Sequence, residues 1–173
     1  MGEAGVLHPE ARTELIDGEI IDMAPPGSLH AGTVIQLDRL LQRAVGDHAI
    51  VLTQNPISLG MYSEPQPDCA LIKPRKDFYK AAHPQPDDLL LVIEVADSSL
   101  RFDRDVKSAL YARHRVPEVW LIDVRAKRLT RYRDPAGRTY RRVDEPDVGA
   151  AVDLPAGPGL RIDLAPLFEN TGA

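Results

Sequence analysis

The chain has 173 residues and a formal net charge of -5 at pH 7, which suits one acidic domain with its own core. This charge excludes an overall field that attracts nucleic acid or an anionic membrane, so a nucleic-acid contact requires a local basic patch. Cys69 is the single cysteine, so no internal disulfide can form. There is neither a signal-peptide pattern nor an apolar run near the roughly twenty residues of a membrane span, so we expect a soluble, cytoplasmic protein with no membrane contact.

The first third of the chain predicts a hairpin followed by a helix. Residues 1–12 carry little pattern, and we expect a flexible N-terminus there. The stretch 14–23 predicts a β-hairpin with Asp17-Gly18 as its turn. Ser28 is expected to cap a helix that ends at Gly46. The apolar side chains of this helix recur at helical spacing, at Val34, Leu37, Leu41 and Val45.

The middle of the chain predicts strands separated by a long loop. Residues 49–53 and 68–72 are short strand-like runs, and 73–88 contains three prolines without periodicity, which indicates a loop. The run 89–95 is apolar on both faces, which is typical of a strand at the centre of a sheet. A helix is then expected over 103–114.

The last third predicts strands with one short hairpin. We expect a strand at 118–124, a pair formed by 128–133 and 139–143 around a loop at 134–137, and an edge strand at 160–164. This order of elements predicts an α/β or α+β domain with helices packed against the sheet.

Two carboxylates lie on predicted apolar strands, where burial of an ionised group costs free energy. Asp68 begins one strand and Glu94 lies near the end of the most apolar strand. If the strands are neighbours, both side chains can face one hard cation, and Mg²⁺ favours one or two carboxylates together with waters and phosphate oxygens. Each carboxylate could equally be solvated at a strand end or paired with an arginine. The residues alone leave the two interpretations level.

A basic residue follows on the next helix. Asp103, Lys107 and Tyr111 recur every four residues and share one helix face. Lys107 could orient a metal-bound water or neutralise charge on a phosphate. Taken alone, Lys107 is better explained as an ordinary helix lysine paired with Asp103. Tyr111 and Trp120 are predicted to belong to the core.

The order of these motifs resembles that of a known family. The matching residues are Glu14 to Glu19, His30, Pro67-Asp68, Leu91 to Asp97, Asp103, Lys107, Tyr111 and Val119 to Asp123. As an ordered set they resemble the Uma-two family, restriction-endonuclease-like proteins within the PD-(D/E)XK nuclease superfamily. The resemblance runs from about residue 13 to Phe168, which predicts a single domain over 13–168 and a tail at 169–173.

The resemblance implies a fold and an activity. The fold is a restriction-endonuclease-like mixed sheet flanked by helices, with an N-terminal hairpin and a C-terminal hairpin. The activity is hydrolysis of DNA phosphodiester bonds with Mg²⁺ or Mn²⁺. Asp68 and Glu94 are the implied catalytic carboxylates and metal ligands, and the Val95 carbonyl is a third metal ligand. The lysine expected two residues after Glu94 is replaced by Ala96, and the resemblance implies that Lys107 takes its role.

Four further polar residues are secondary candidates for this site. They are His30, Glu14, Gln54 and Asp103. Each also has an ordinary structural explanation. His30 can bond to backbone where its helix begins, Glu14 can pair with Arg12, and Gln54 can serve a turn.

A basic segment between residues 125 and 142 gives the chain its one candidate phosphate-binding surface. Its cations are Arg125, Lys127, Arg128, Arg131, Arg133, Arg138, Arg141 and Arg142. Alternating residues such as Arg131 and Arg133 could line a face that follows a phosphate backbone. Protection of an edge strand by charge explains them slightly better.

Two functions therefore stay open. The first is a metal-dependent DNA endonuclease, expected to be a homodimer through its edge strands and the region of Trp120. The second is a catalytically inactive nuclease-like fold that acts as a DNA-binding or protein-interaction module, suggested by Ala96 and the acidic charge. The discriminating feature is whether Lys107 reaches the pair formed by Asp68 and Glu94.

Overall fold

A computed structural model describes residues 13–169. The N-terminus expected to be flexible, 1–12, and residues 170–173 of the expected tail lie outside the described residues. The described chain forms a six-stranded mixed sheet with flanking helices and two separate two-stranded sheets. This arrangement confirms the predicted α+β fold class. Within residues 13–169, no helix is long and apolar enough to cross a membrane.

The predicted N-terminal hairpin is present as a separate small sheet. Strand β1 (Thr13–Ile16) pairs antiparallel with β2 (Glu19–Asp22). The turn residues Asp17 and Gly18 both have positive φ, 52° and 87°, which the Asp-Gly dipeptide tolerates well. The hairpin therefore forms as the local sequence predicts.

Helix α1 (Ser28–Val45) buries the predicted apolar face and ends at Gly46, whose φ is 50°. Ser28 does not cap it, which corrects the sequence prediction. Gly27 holds the cap position in an extended conformation, and its carbonyl accepts the Ala31 amide at 3.0 Å. The helix thus begins one residue earlier, and Ser28 is its first residue.

The main sheet has the strand order β3-β4-β5-β6-β7-β8. Its strands are β3 (Ile50–Thr53), β4 (Cys69–Ile72), β5 (Leu89–Ala96), β6 (Glu118–Asp123), β7 (Arg128–Ala136) and β8 (Thr139–Asp144). Strands β5 and β6 run parallel, and the other neighbouring strands run antiparallel. The apolar strand β5 lies inside the sheet, as its pattern predicts.

A helical connection joins the parallel strands β5 and β6. It consists of α2 (Leu100–Phe102), a π-helical segment (Asp103–Lys107) and α3 (Ser108–Arg113). The connection therefore begins three residues before the predicted helix. Insertions of π-helix are rare and are frequent at functional sites, and this one carries both buried charged residues of the connection, Asp103 and Lys107.

The two faces of the sheet bury different helices. On one face, α1 packs against alternate residues of β5, namely Leu91, Ile93 and Val95. On the other face, α3 packs against a second cluster that includes Val92. Because side chains alternate along a strand, Glu94 belongs to the face covered by α3.

Two details of the C-terminal third differ from the sequence prediction. The β7–β8 loop is Gly137-Arg138 rather than 134–137, because Pro135 and Ala136 stay in register opposite Tyr140 and Thr139. The expected edge strand at 160–164 is also outside the main sheet.

The last strands form a small sheet of their own. Strand β10 (Arg161–Ile162) pairs with β9 (Val152–Asp153), and the short helix α4 (Ala165–Phe168) contacts α1. The edges of the main sheet are therefore β3 and β8. Trp120 is 0% exposed, which confirms its assignment to the core.

Candidate active site

Asp68 and Glu94 lie beside each other at the junction of β4 and β5. Cys69 pairs with Ile93 in the antiparallel ladder, which places Asp68 opposite Glu94 on the same face of the sheet. The Val95 amide donates to Asp68 Oδ2 at 2.8 Å and fixes that carboxylate against β5. The structure thus brings the carboxylates of Asp68 and Glu94 together, and Val95 lies next to them.

Lys107 reaches this pair from the helical connection. Its Nζ lies 3.2 Å from Glu94 Oε1 and 2.8 Å from Glu14 Oε1, and Lys107 is 5% exposed. The alternative pairing with Asp103 is not formed, since Asp103 instead accepts the Ser99 hydroxyl at 2.5 Å. Lys107 is therefore a buried ammonium shared by two carboxylates rather than a solvated helix lysine.

Glu14 arrives from the separate hairpin. It is 3% exposed, and its Oε1 accepts hydrogen bonds from the Lys107 ammonium and from the Gln66 backbone N–H, each at 2.8 Å. The predicted alternative partner, Arg12, lies outside the described residues. The hairpin thus supplies a carboxylate that holds the lysine in place.

His30 and Gln54 both contact Asp68. His30 Nε2 lies 3.1 Å from Asp68 Oδ2, and this hydrogen bond raises the pKa of His30. His30 Nδ1 is buried without a partner among the described residues. Gln54 donates to Asp68 Oδ1 over a longer 3.4 Å. Both secondary candidates therefore lie within hydrogen-bond reach of the first carboxylate.

Tyr111 is the residue that sequence reasoning missed. It is fully buried, as the core assignment predicts, but its hydroxyl also donates to Glu94 Oε1 at 2.5 Å. The signal was present in the four-residue spacing from Lys107, which puts both side chains on the face that meets Glu94.

The site carries more negative than positive charge. Burial raises the pKa of Glu94 to about 8, and the Lys107 ammonium offsets only part of that effect. Burial also raises the pKa of Asp103. Burial alone would lower the pKa of Lys107, but Glu94 and Glu14 more than offset it, so that the lysine stays charged. A proton on Glu94 would lower this excess charge in the absence of a cation.

The donor set fits a hard divalent cation bound by two carboxylates. Hydrogen bonds from the described residues to Glu94 all reach Oε1, which leaves Oε2 for a ligand. Among the described residues, Asp68 Oδ1 has only the long contact from Gln54. Within 13–169, no group of three or more His, Cys, Asp or Glu side chains is arranged to hold a metal ion. Two carboxylates with waters and substrate oxygens are nevertheless the coordination that Mg²⁺ prefers.

These groups open into one pocket of about 340 Å³. Every predicted site residue except Val95 lines it: Glu14, His30, Gln54, Asp68, Glu94, Asp103 and Lys107. Its walls also include residues that were not predicted as site residues, chiefly 23–27, 97–99 and Phe102. The pocket therefore has an acidic floor and a partly apolar wall.

Three arginines of the basic segment are paired with carboxylates. Arg131 and Arg133 each lie 2.7 Å from an oxygen of Asp144. Arg125 likewise pairs with Asp97 at 2.5 Å. Because β8 is an edge of the sheet, this arrangement favours the edge-protection interpretation over a phosphate-binding face.

Comparison with known proteins supports a nuclease-like fold. The model of the Uma2 family, described as "Putative restriction endonuclease", matches residues 4–165. A solved structure with the same architecture is described as a putative nuclease belonging to DUF820 from Anabaena variabilis ATCC 29413. The alignment covers 96% of this chain and 94% of that chain, with a TM-score of 0.71 and 19% sequence identity. A search of curated proteins found no match.

Proposed function

Because this chain belongs to the Uma2 family, we propose that it is a Mg²⁺- or Mn²⁺-dependent endonuclease that hydrolyses phosphodiester bonds in DNA. The observation that carries the proposal is the contact of Lys107 Nζ with Glu94 at 3.2 Å, next to the carboxylate of Asp68. This contact supplies the cation that Ala96 cannot, from a different element of the fold.

Each residue has a role that follows from its contacts. Asp68 and Glu94 would hold the metal, and the Val95 carbonyl would be a further ligand. When bound, a divalent ion would polarise the phosphate and lower the pKa of the attacking water. Lys107, held by Glu14, orients that water and stabilises negative charge that develops on the phosphate. His30 and the Val95 amide keep the Asp68 carboxylate oriented.

A catalytically inactive module is the second candidate. The observation that favours it is the pairing of Arg131 and Arg133 with Asp144, which lowers the positive charge that the hairpin offers to DNA. The buried cluster around Lys107 favours the enzyme instead, because an assembly module has no need of unbalanced buried carboxylates.

Self-association and location are subsidiary parts of the proposal. We propose a homodimer through an edge strand of the main sheet, supported by Val143, which is 54% exposed on β8. We also propose a cytoplasmic location, supported by the single buried cysteine, Cys69. Sedimentation equilibrium of the purified protein tests the dimer, and a monomer at all concentrations contradicts it.

The test of the enzyme is DNA cleavage with Mg²⁺, with Mn²⁺ and with a chelator. Asp68→Asn should abolish cleavage and leave the fold intact, because the new side-chain oxygen can still accept the Val95 amide. Asp87→Asn, at an exposed position in the long loop, is the matched control and should cleave as the native protein does. Absence of cleavage by the native protein, or unchanged cleavage by Asp68→Asn, contradicts the proposal.

A further inference from the structure

The reacting groups lie at the bottom of the pocket rather than on the protein surface. Glu94 and Glu14 are each 3% exposed, Lys107 is 5% exposed and Asp103 is 6% exposed. The Asp68 side chain is 13% exposed. A scissile phosphate must therefore enter the pocket to meet Lys107 and the two carboxylates.

The pocket has the dimensions of a single small ligand. Its volume of about 340 Å³ lies at the lower end of the roughly 300–1,000 Å³ typical of small-molecule sites. Intact B-DNA, whose major groove alone is about 12 Å wide, cannot enter such a space. One nucleotide that has left the base stack can enter it.

The wall of the pocket suits an unpaired base. Half-buried Phe102 lines one side, and exposed Pro25 and Pro26 lie on the segment 23–27 that also borders the pocket. Bases stack on aromatic side chains without regard to their sequence. The wall can thus hold a base while the carboxylates on the floor, with their cation, hold the adjoining phosphate.

The net charge of the whole chain does not favour a duplex. Duplex DNA carries one negative charge per about 1.7 Å of its axis, so that tight binding needs many unpaired lysines or arginines. The net charge of this chain is -5, and Arg131 and Arg133 are paired with Asp144. A single unpaired nucleotide needs compensation for far fewer phosphates than a duplex does.

Building on the nuclease activity proposed above, we propose that the substrate is unpaired DNA, taken into the pocket one nucleotide at a time with its base against Phe102. Intact duplex is a poor substrate because each productive encounter must first unstack and unpair a nucleotide. The site therefore selects single strands, gaps and bubbles.

The first test compares three labelled DNAs of one sequence and length with the native protein and Mn²⁺ or Mg²⁺. They are a single strand, a full duplex and a duplex with a central bubble. The single strand should be cut at least about tenfold faster than the duplex, and cuts in the third DNA should map to the bubble. Equal or faster cleavage of the duplex overturns this inference and leaves the nuclease proposal standing. No cleavage of any DNA overturns both.

The second test removes the stacking surface. Phe102→Leu should raise the KM for the single strand by roughly tenfold with little change in kcat, because a base–aromatic stack is lost while the floor is unchanged. Phe78→Leu is the matched control, since Phe78 is 68% exposed and does not line the pocket. A folded Phe102→Leu protein, checked by its melting temperature, with an unchanged KM contradicts the role of Phe102.

Discussion

The pocket and the β7–β8 hairpin both concentrate charge, but they do so in opposite ways. In the pocket, several buried carboxylates surround one ammonium, that of Lys107, and the balance is negative. In the hairpin, Arg131 and Arg133 share Asp144, whose side chain is 38% exposed. Exposed pairs are screened by water, whereas buried charges interact strongly and must find partners. Burial, rather than the number of charges in a segment, is therefore what distinguishes the candidate site from the hairpin.

The largest effect should come from removing the lysine of the pocket. Lys107→Met leaves Glu14 and Glu94 without their cation in a buried site, and we expect the free energy of unfolding at pH 8 to fall by about 3–5 kcal/mol. DNA cleavage should be lost as well. Urea denaturation followed by circular dichroism measures the first effect, and the cleavage assay measures the second.

A lysine on the exposed loop provides the control for that variant. Lys76 is exposed, so Lys76→Met should change the free energy of unfolding by no more than about 0.5 kcal/mol. Similar losses in the two variants would contradict the contrast between buried and exposed charge.

The second effect is a dependence of stability on pH that comes from Glu94. Its pKa is about 8 in the folded protein against an ordinary value of 4.5, so the folded state holds the proton more tightly. The stability from this group is fully present below about pH 4.5 and is lost as the pH rises through about 8. Glu94→Gln cannot titrate, and it should flatten this part of the profile and be the more stable protein at pH 8.5 without metal.

Denaturation midpoints from pH 5 to pH 9 in a chelator measure this profile. The exposed Glu19 gives the control, since Glu19→Gln should keep the native slope. Parallel profiles for the native protein and Glu94→Gln would show that the carboxylate is already ionised at neutral pH. The charges of the buried cluster would then behave like those of the exposed hairpin, in spite of their burial.

Tyr111 should have a smaller effect that acts through Glu94. Tyr111→Phe removes a hydrogen bond to a carboxylate, worth about 1.5–3 kcal/mol when the acceptor is charged. Tyr140→Phe removes a hydrogen bond to the neutral Val116 carbonyl and should reduce the free energy of unfolding by only about 1 kcal/mol. Tyr111→Phe should also extend the fall in stability to higher pH, because the Glu94 carboxylate loses a donor, whereas Tyr140→Phe should not.

Local sequence patterns were sufficient for most of the elements. The Asp17-Gly18 turn, the apolar face of α1 and the interior position of β5 each follow from a short-range signal, and the structure contains all three. The proximity of Asp68 and Glu94 needed the further assumption that their strands are neighbours.

Other features depend on contacts that no local pattern encodes. Glu14 and Lys107 are 93 positions apart and lie on separate elements, so their ion pair follows only from the tertiary fold. A core assignment for Tyr111 describes its ring but does not identify the partner of its hydroxyl. In the hairpin, the cross-strand register sets Arg131 opposite Asp144. The sequence prediction missed this pair because it placed the intervening loop at 134–137.

The smallest effect should come from the hairpin itself. Asp144→Asn breaks two partly exposed ion pairs, and we expect a loss of only about 0.2–1 kcal/mol, which shrinks further in salt. Cleavage of single-stranded DNA should stay within about twofold of the native rate, because Arg131 and Arg133 contact no group in the pocket. The double variant Arg131→Ala/Arg133→Ala tests the hairpin more directly. If this double variant lowered DNA affinity as strongly as Phe102→Leu, the hairpin would be a phosphate-binding surface in spite of Asp144. The hairpin and the pocket would then both contribute to DNA binding.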